Sequence, residues 1–301
     1  MRAERVSGGR DARRLVIAAC GRSASAGELA ALARGVDGEA LLVLAEYHGV
    51  ASRLYDRLHQ LDVLPPDVVD GLLDMRLVAQ AKRLDAQRAL WVLDGALDVP
   101  FLVVKGPVLS AHWYADDEAR EFSDLDVLVF PADFTRVVDA LGAQGAVARA
   151  TNWHGFRKLE VAEIPLALGS TTIDLHWDLV ALGEHRRFVR LPTRELFENS
   201  IEVRVGGLDV RTLCPVDTLL HLCINAGLEG AHRLRSLVDV DTVVHSRRVD
   251  LDQFATRADR VGASRLCAAV LQRTTRVLGP ELPPGVVTGL SPSRSWLVVT
   301  S

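Results

Sequence analysis

The apolar residues change their period twice along this 301-residue chain, and those two changes constrain its architecture more than any single motif. In Glu39 to Leu61 and again in Asp67 to Leu97 they recur every three or four positions, with Pro65-Pro66 between, as helices require. From Val99 to about Arg211 they fall into short runs and alternation broken by glycine turns, the pattern of strands. From Pro215 the helical spacing returns, through Leu219 to Ile224 and Leu234 to Val240. The expectation is a mixed α+β protein with an N-terminal helical region over 1–98 and a core over 99–212. A C-terminal helical region follows over 213–301, ending in a loosely packed tail rich in Pro, Gly and Ser.

Within the core, Arg120-Glu-Phe-Ser-Asp-Leu-Asp-Val-Leu-Val-Phe130 carries the strongest chemical signal. Asp124 and Asp126 open an apolar, β-branched run, so as strand residues i and i+2 they share a face. Neighbouring carboxylates raise each other's cost of ionising, and a hard divalent cation such as Mg²⁺ or Mn²⁺ removes that cost. The chain has its own controls: Asp239-Val-Asp241 sits in a helical pattern, and Asp250-Leu-Asp252 looks like the acidic first turn of a helix.

Two flanking segments add to the pair. Val99-Pro-Phe-Leu-Val-Val-Lys-Gly106 is a short apolar run that delivers Lys105 and a flexible Gly106 to its end, with Pro107 suited to the first position of a helix through Tyr114. Lys105 is one of only three lysines in the chain, and a compact ammonium beside a glycine is a common way to meet phosphate. Read plainly, it is a solvent-facing lysine at a strand-ending turn. Downstream, Ser170 to Val180 alternates, with Ile173, Leu175, Trp177 and Leu179 on one face and Asp174, His176 and Asp178 on the other. Asp174 would complete a triad with Asp124 and Asp126, and three carboxylates can hold two metal ions. For His176 and Asp178 a polar face turned to water is an equal reading.

Lys105-Gly106, then Ser123-Asp-Leu-Asp126, then Ile173-Asp174-Leu175 resembles the nucleotidyltransferase superfamily with the polymerase-β-type palm. The words Val104-Lys-Gly106, Arg120 to Asp126 and Asp174-Leu-His-Trp177 are similar to those of a bacterial branch of uncharacterised nucleotidyltransferases, over about residues 40 to 245. The resemblance implies a palm core flanked by helical regions and an NMP transfer from an NTP, with ATP the default donor by prevalence. Asp124, Asp126 and Asp174 would be catalytic and bind Mg²⁺ (or Mn²⁺). Lys105, Gly106, Arg120 and Ser123 would serve the nucleotide. Many relatives have Gly-Ser where this chain has Gly106-Pro107, which removes a hydroxyl and an N–H and leaves Lys105 as the substitute.

Composition narrows the partners. A net charge of −4 gives no general affinity for nucleic acid or anionic membrane, and 5% aromatic residues argue against a stacking platform for single strands. The acceptor expected is therefore a small molecule or peptide, although Arg120, Arg157, Lys158, Arg233 and Arg235 could build a local basic patch. His154, Arg157 and Lys158 could also contact the acceptor, and His232, Arg233 and Arg235 could cover the nucleotide. The four cysteines show no C-x-x-C spacing and suit a reducing cytoplasm, and Leu15 to Cys20 is too short to span a membrane. Two other classes stay open: a glycosyltransferase that uses Asp-x-Asp to hold a nucleotide-sugar, and a degenerate member that binds without turnover.

Overall fold

The computed structural model of the chain describes residues 2–114, 120–149, 161–279, 281–283 and 286–290. His154, Arg157 and Lys158 lie outside the described residues, as does most of the C-terminal tail.

Five helices come first: α1 (Arg2–Cys20), α2 (Ala26–Ala33), α3 (Gly38–His48), α4 (Ala51–Leu58) and α5 (Pro66–Ala96). Local chemistry sets their ends. Ser25 and Glu28 form a reciprocal capping box before α2, and the Asp37 carboxylate accepts from the Ala40 amide before α3. The expected helix from Glu39 to Leu61 is two helices, because Gly49 takes a left-handed φ of 64° and closes α3. Pro66 opens α5 at its first position, where a missing N–H costs nothing.

The core sheet has five strands, β1 (Phe101–Val103), β2 (Asp124–Val129), β3 (Val147–Ala148), β4 (Glu163–Leu168) and β5 (Thr171–His176), in the order β1-β2-β5-β4-β3. Only β2 and β5 are parallel. Helix α6 (Pro107–Trp113) joins β1 to β2, and α7 (Phe134–Ala143) follows β2. Short helices α8 (Gly183–Arg186) and α9 (Thr193–Glu198) lead to a separate hairpin, β6 (Ile201–Val205) and β7 (Leu208–Thr212). Its two-residue turn, Gly206-Gly207, has φ of 54° and 90°, the left-handed pair that matches strand twist. Then come α10 (Pro215–Leu228), α11 (Leu234–Val244), α12 (Leu251–Arg260), α13 (Ser264–Leu278) and α14 (Val286–Gly289). No helix among the described residues is long and apolar enough to cross a membrane.

Strand alternation divides the interior into two cores. Leu125, Val127, Val129, Ile173 and Leu175 pack with Phe134 and Leu141 of α7 on one face of the sheet. On the other face Leu102, Val104 and Leu128 join a larger core built jointly from α1 to α5 and α10 to α13. The two helical regions thus share one apolar interior, packed against the sheet face that carries Asp124, Asp126, Asp174 and His176. At roughly 1.5–3 kcal/mol for each fully buried aliphatic side chain, this shared core ties sequence-distant helices to the sheet.

Candidate functional site

Parallel pairing of β2 with β5 places Asp126 directly beside Asp174 and Asp124 beside Thr172. In-register neighbours on adjacent strands point to the same face, so Asp124, Asp126 and Asp174 share one sheet surface. Asp126 is buried, while Asp124 and Asp174 are half-buried.

Lys105 follows β1, and its Nζ lies 3.0 Å from Asp126 Oδ1. Burial pushes the Asp126 carboxyl up, but the Lys105 ammonium and His176 outweigh it and hold the group well below the usual range. The same contact raises Lys105 against a burial effect that favours the neutral amine. Asp174 behaves oppositely. Burial, and then the charges of Asp126 and Asp124, push its carboxyl from the ordinary 3.8 to about 6.

His176 departs from the half-exposed reading. Its ring is buried between two acids, with Nε2 3.4 Å from Asp126 Oδ1 and Nδ1 3.3 Å from Glu163 Oε2 on β4. These are ion-pair distances without hydrogen-bond alignment. Strand β5 ends there, because the Asp178 carboxylate accepts from the Val180 amide at 2.8 Å and turns the chain. A second buried imidazole, His221 on α10, has no hydrogen-bond partner among the described residues, and burial followed by the nearby Lys105 charge pushes it down to about 3. It is neutral.

Gly106 adopts φ 58°, ψ −120°, and a Cβ there would stand 3.0 Å from the Asp124 carbonyl oxygen. Only glycine lets the turn lie this close to the start of β2. Pro107 then begins α6 as expected. Ser123 is exposed, and its Oγ donates to Asp124 Oδ2 at 3.3 Å.

Arg120 is placed differently from the expectation that it meets a phosphate. It is buried under the glycine turn, where Nε and Nη2 donate to the two oxygens of Asp239 at 2.8 and 2.9 Å, and Nη1 donates to the Gly106 carbonyl at 3.3 Å. The Tyr114 hydroxyl donates to the same carboxylate at 2.5 Å. Arg120 is a brace between the turn and α11, with three of its five N–H groups donating to protein acceptors. The Asp239/Asp241 pair is helical, as its spacing suggests, but both acids are buried anchors rather than solvated: Asp241 receives Arg22 Nε at 2.5 Å. An acid inside a helical apolar stripe was the available signal for this role.

Beside the carboxylates, Glu121, Phe122 and Ser123 form one wall of a cavity of about 700 Å³ between α3, α5 and the start of α11. The wall carries both signs: Lys82, Arg233 and Arg235 against Glu46, Asp74, Glu121 and Glu229, with His232 beside them. Sequence reasoning picked out the cations of α11 but not Tyr47 or Glu121, which have no motif of their own.

These carboxylates suit a divalent cation chemically. Among the described residues Asp126 Oδ2 is buried without a hydrogen-bond partner, and burial followed by the Asp126 and Asp124 charges raises the Asp174 carboxyl. As the side chains stand, no three His, Cys, Asp or Glu groups among the described residues are gathered at cation-ligating distance, and Lys105 holds one Asp126 oxygen.

The model of a family described as uncharacterised nucleotidyltransferases matches residues 34–279. The chain belongs to that family. The match takes in the sheet, both carboxylate strands, and helices α3 to α13. No curated protein matches it significantly. Among solved structures it is similar to an antigenic nucleotidyltransferase-like protein from Paracoccidioides brasiliensis, at 12% identity and a TM-score of 0.39, covering 70% of this chain and 92% of that one. That likeness is too distant to carry an argument.

Proposed function

We propose that the protein transfers a nucleoside monophosphate from an NTP, with ATP the default donor, to a small-molecule or peptide acceptor. In that reaction an acceptor oxygen or nitrogen bonds to the α-phosphorus, the α–β bridging P–O bond breaks, and pyrophosphate leaves. The observation that carries the reading is the parallel register of Asp126 with Asp174, which puts the lone acid of the later strand beside the Asp-x-Asp pair. A glycosyltransferase reading of the Asp-x-Asp has no use for that third acid.

Each residue has a task set by its surroundings. Asp124, Asp126 and Asp174 would hold Mg²⁺ or Mn²⁺, and the ion when bound supplies charge stabilisation on the transferring phosphoryl group. Asp126 is kept ionised by Lys105 and His176. Asp174, beside Asp126 on the neighbouring strand, would take the acceptor's proton. Lys105 both neutralises Asp126 and sets a fixed positive charge beside the place where phosphate charge develops. His221 and His176 are buried.

Support for a small acceptor is a net charge of −4 and few aromatic residues. Arg120 contributes nothing to a surface basic patch, being buried on Asp239. The test incubates the protein with Mg²⁺ and each of the four α-³²P-labelled NTPs in a cell extract. Pyrophosphate release with a labelled adduct, lost in Asp126→Asn, is expected. No pyrophosphate and no labelled adduct with any NTP overturns the reading.

A further inference from the structure

A triphosphate brings several negative charges, and this site offers little free cation to meet them. Lys105, the residue expected to replace the missing Gly-Ser hydroxyl, is paired with Asp126, and Arg120 is paired with Asp239. The adjoining cavity, in contrast, holds Lys82, Arg233 and Arg235, and among the described residues none of the three makes a hydrogen bond or an ion pair. We propose that the cavity seats the polyphosphate of the nucleotide donor on Lys82, Arg233 and Arg235, an inference that rests on the nucleotidyl-transfer reading.

The cations are held in position without a direct ion pair among the described residues. The Arg233 guanidinium lies 4.1 Å from the centre of the Tyr47 ring, a contact that fixes its plane and leaves its N–H donors free. The Arg235 stem runs over Gly49, where a Cβ would be in ordinary contact at 3.5 Å. His48 Nδ1 accepts the Leu234 amide at 3.3 Å, which ties the end of α3 to the start of α11. Burial and the nearby Arg233 charge lower the His48 ring's proton affinity and favour this acceptor form.

Glu121 is engaged by the Ser52 amide at 2.6 Å, and burial raises its carboxyl. Two residues on from Glu121, Ser123 lines the same cavity and contacts Asp124. A phosphate chain anchored on the arginines therefore leads toward the carboxylates. A volume of about 700 Å³ falls within the roughly 300–1,000 Å³ usual for small-ligand sites.

The test is calorimetric titration of the full chain with the α,β-methylene analogues of the four NTPs and with inorganic tripolyphosphate. Parallel titrations use Arg233→Ala, Arg235→Ala and the exposed Lys82→Ala. Each arginine variant is expected to weaken both an NTP analogue and tripolyphosphate about tenfold or more, as loss of a charged hydrogen bond predicts. Arg233→Lys, which restores charge, is expected to recover part of the loss and guards against an unfolded alanine variant. Unchanged affinity in all three alanine variants overturns the proposal while leaving nucleotidyl transfer intact. A parent protein that binds none of the analogues overturns both. Tripolyphosphate binding that is lost in the variants but does not compete with the NTP analogue assigns the cavity to a phosphorylated acceptor and overturns the donor assignment.

Discussion

Arg120 and Asp239, 119 residues apart in sequence, form a buried two-pronged ion pair that locks the C-terminal helix α11 to the glycine turn of the core. A planar guanidinium matches a carboxylate in this way, and here the third arm reaches the Gly106 carbonyl. Because α11 also begins with Arg233 and Arg235, the pair sets the distance between the cavity and the carboxylates.

Removing one partner leaves the other charge buried and alone. Arg120→Ala is expected to cost about 3–5 kcal/mol, measured by urea unfolding. Tyr114→Phe, which removes one donor to Asp239, should cost only about 1–2 kcal/mol. If Arg120→Ala left stability unchanged and altered only nucleotide affinity, the bracing role would be wrong.

Lys105→Ala should lower both turnover and stability. Asp126 gains its depressed carboxyl partly from Lys105, so its contribution is present above the ordinary carboxylate value near 3.8 and fades as pH falls through the depressed value. The variant should therefore lose about 1–3 kcal/mol near neutral pH. Its deficit should shrink below about pH 4, as Asp126 becomes protonated in the variant. Melting temperatures across that pH range decide the matter, and a pH-independent deficit would point to lost packing instead.

Asp174→Asn has the opposite sign. A carboxyl raised to about 6 in the folded protein favours folding while protonated, so stability is full below about pH 4 and is lost as pH rises through 6. In chelator, the asparagine variant should be more stable than the parent near pH 7.5, by about 1–2 kcal/mol after allowance for partial exposure, and equal to it near pH 4. Calorimetric scans at the two pH values test this. The same variant should show no pyrophosphate release.

Gly106→Ala should be costly despite its small size. The backbone at φ 58° with a carbonyl oxygen 3.0 Å from the new Cβ predicts a loss of about 1–3 kcal/mol and a displaced Asp124. A crystal structure of the variant with an unmoved turn and unaltered melting temperature would contradict it.

Much of this was legible in the chain itself, for a local reason. Period-two and period-3.6 patterns report which face of each element is apolar, so the helices, the strands at Val99, Asp124 and Ser170, and the Gly206-Gly207 hairpin follow from spacing. The placement of Asp124 and Asp126 on one face needs only the pleat. Partner choice needs the fold. No spacing indicates that β5 pairs in parallel with β2 so that Asp174 meets Asp126, that His176 is buried between Asp126 and Glu163, or that Arg120 faces inward to Asp239. Those contacts join residues from 13 positions apart, His176 and Glu163, to 119 apart, Arg120 and Asp239. They are decided by how the helices before residue 98 and after 215 pack into one shared core and by which charges that packing removes from water.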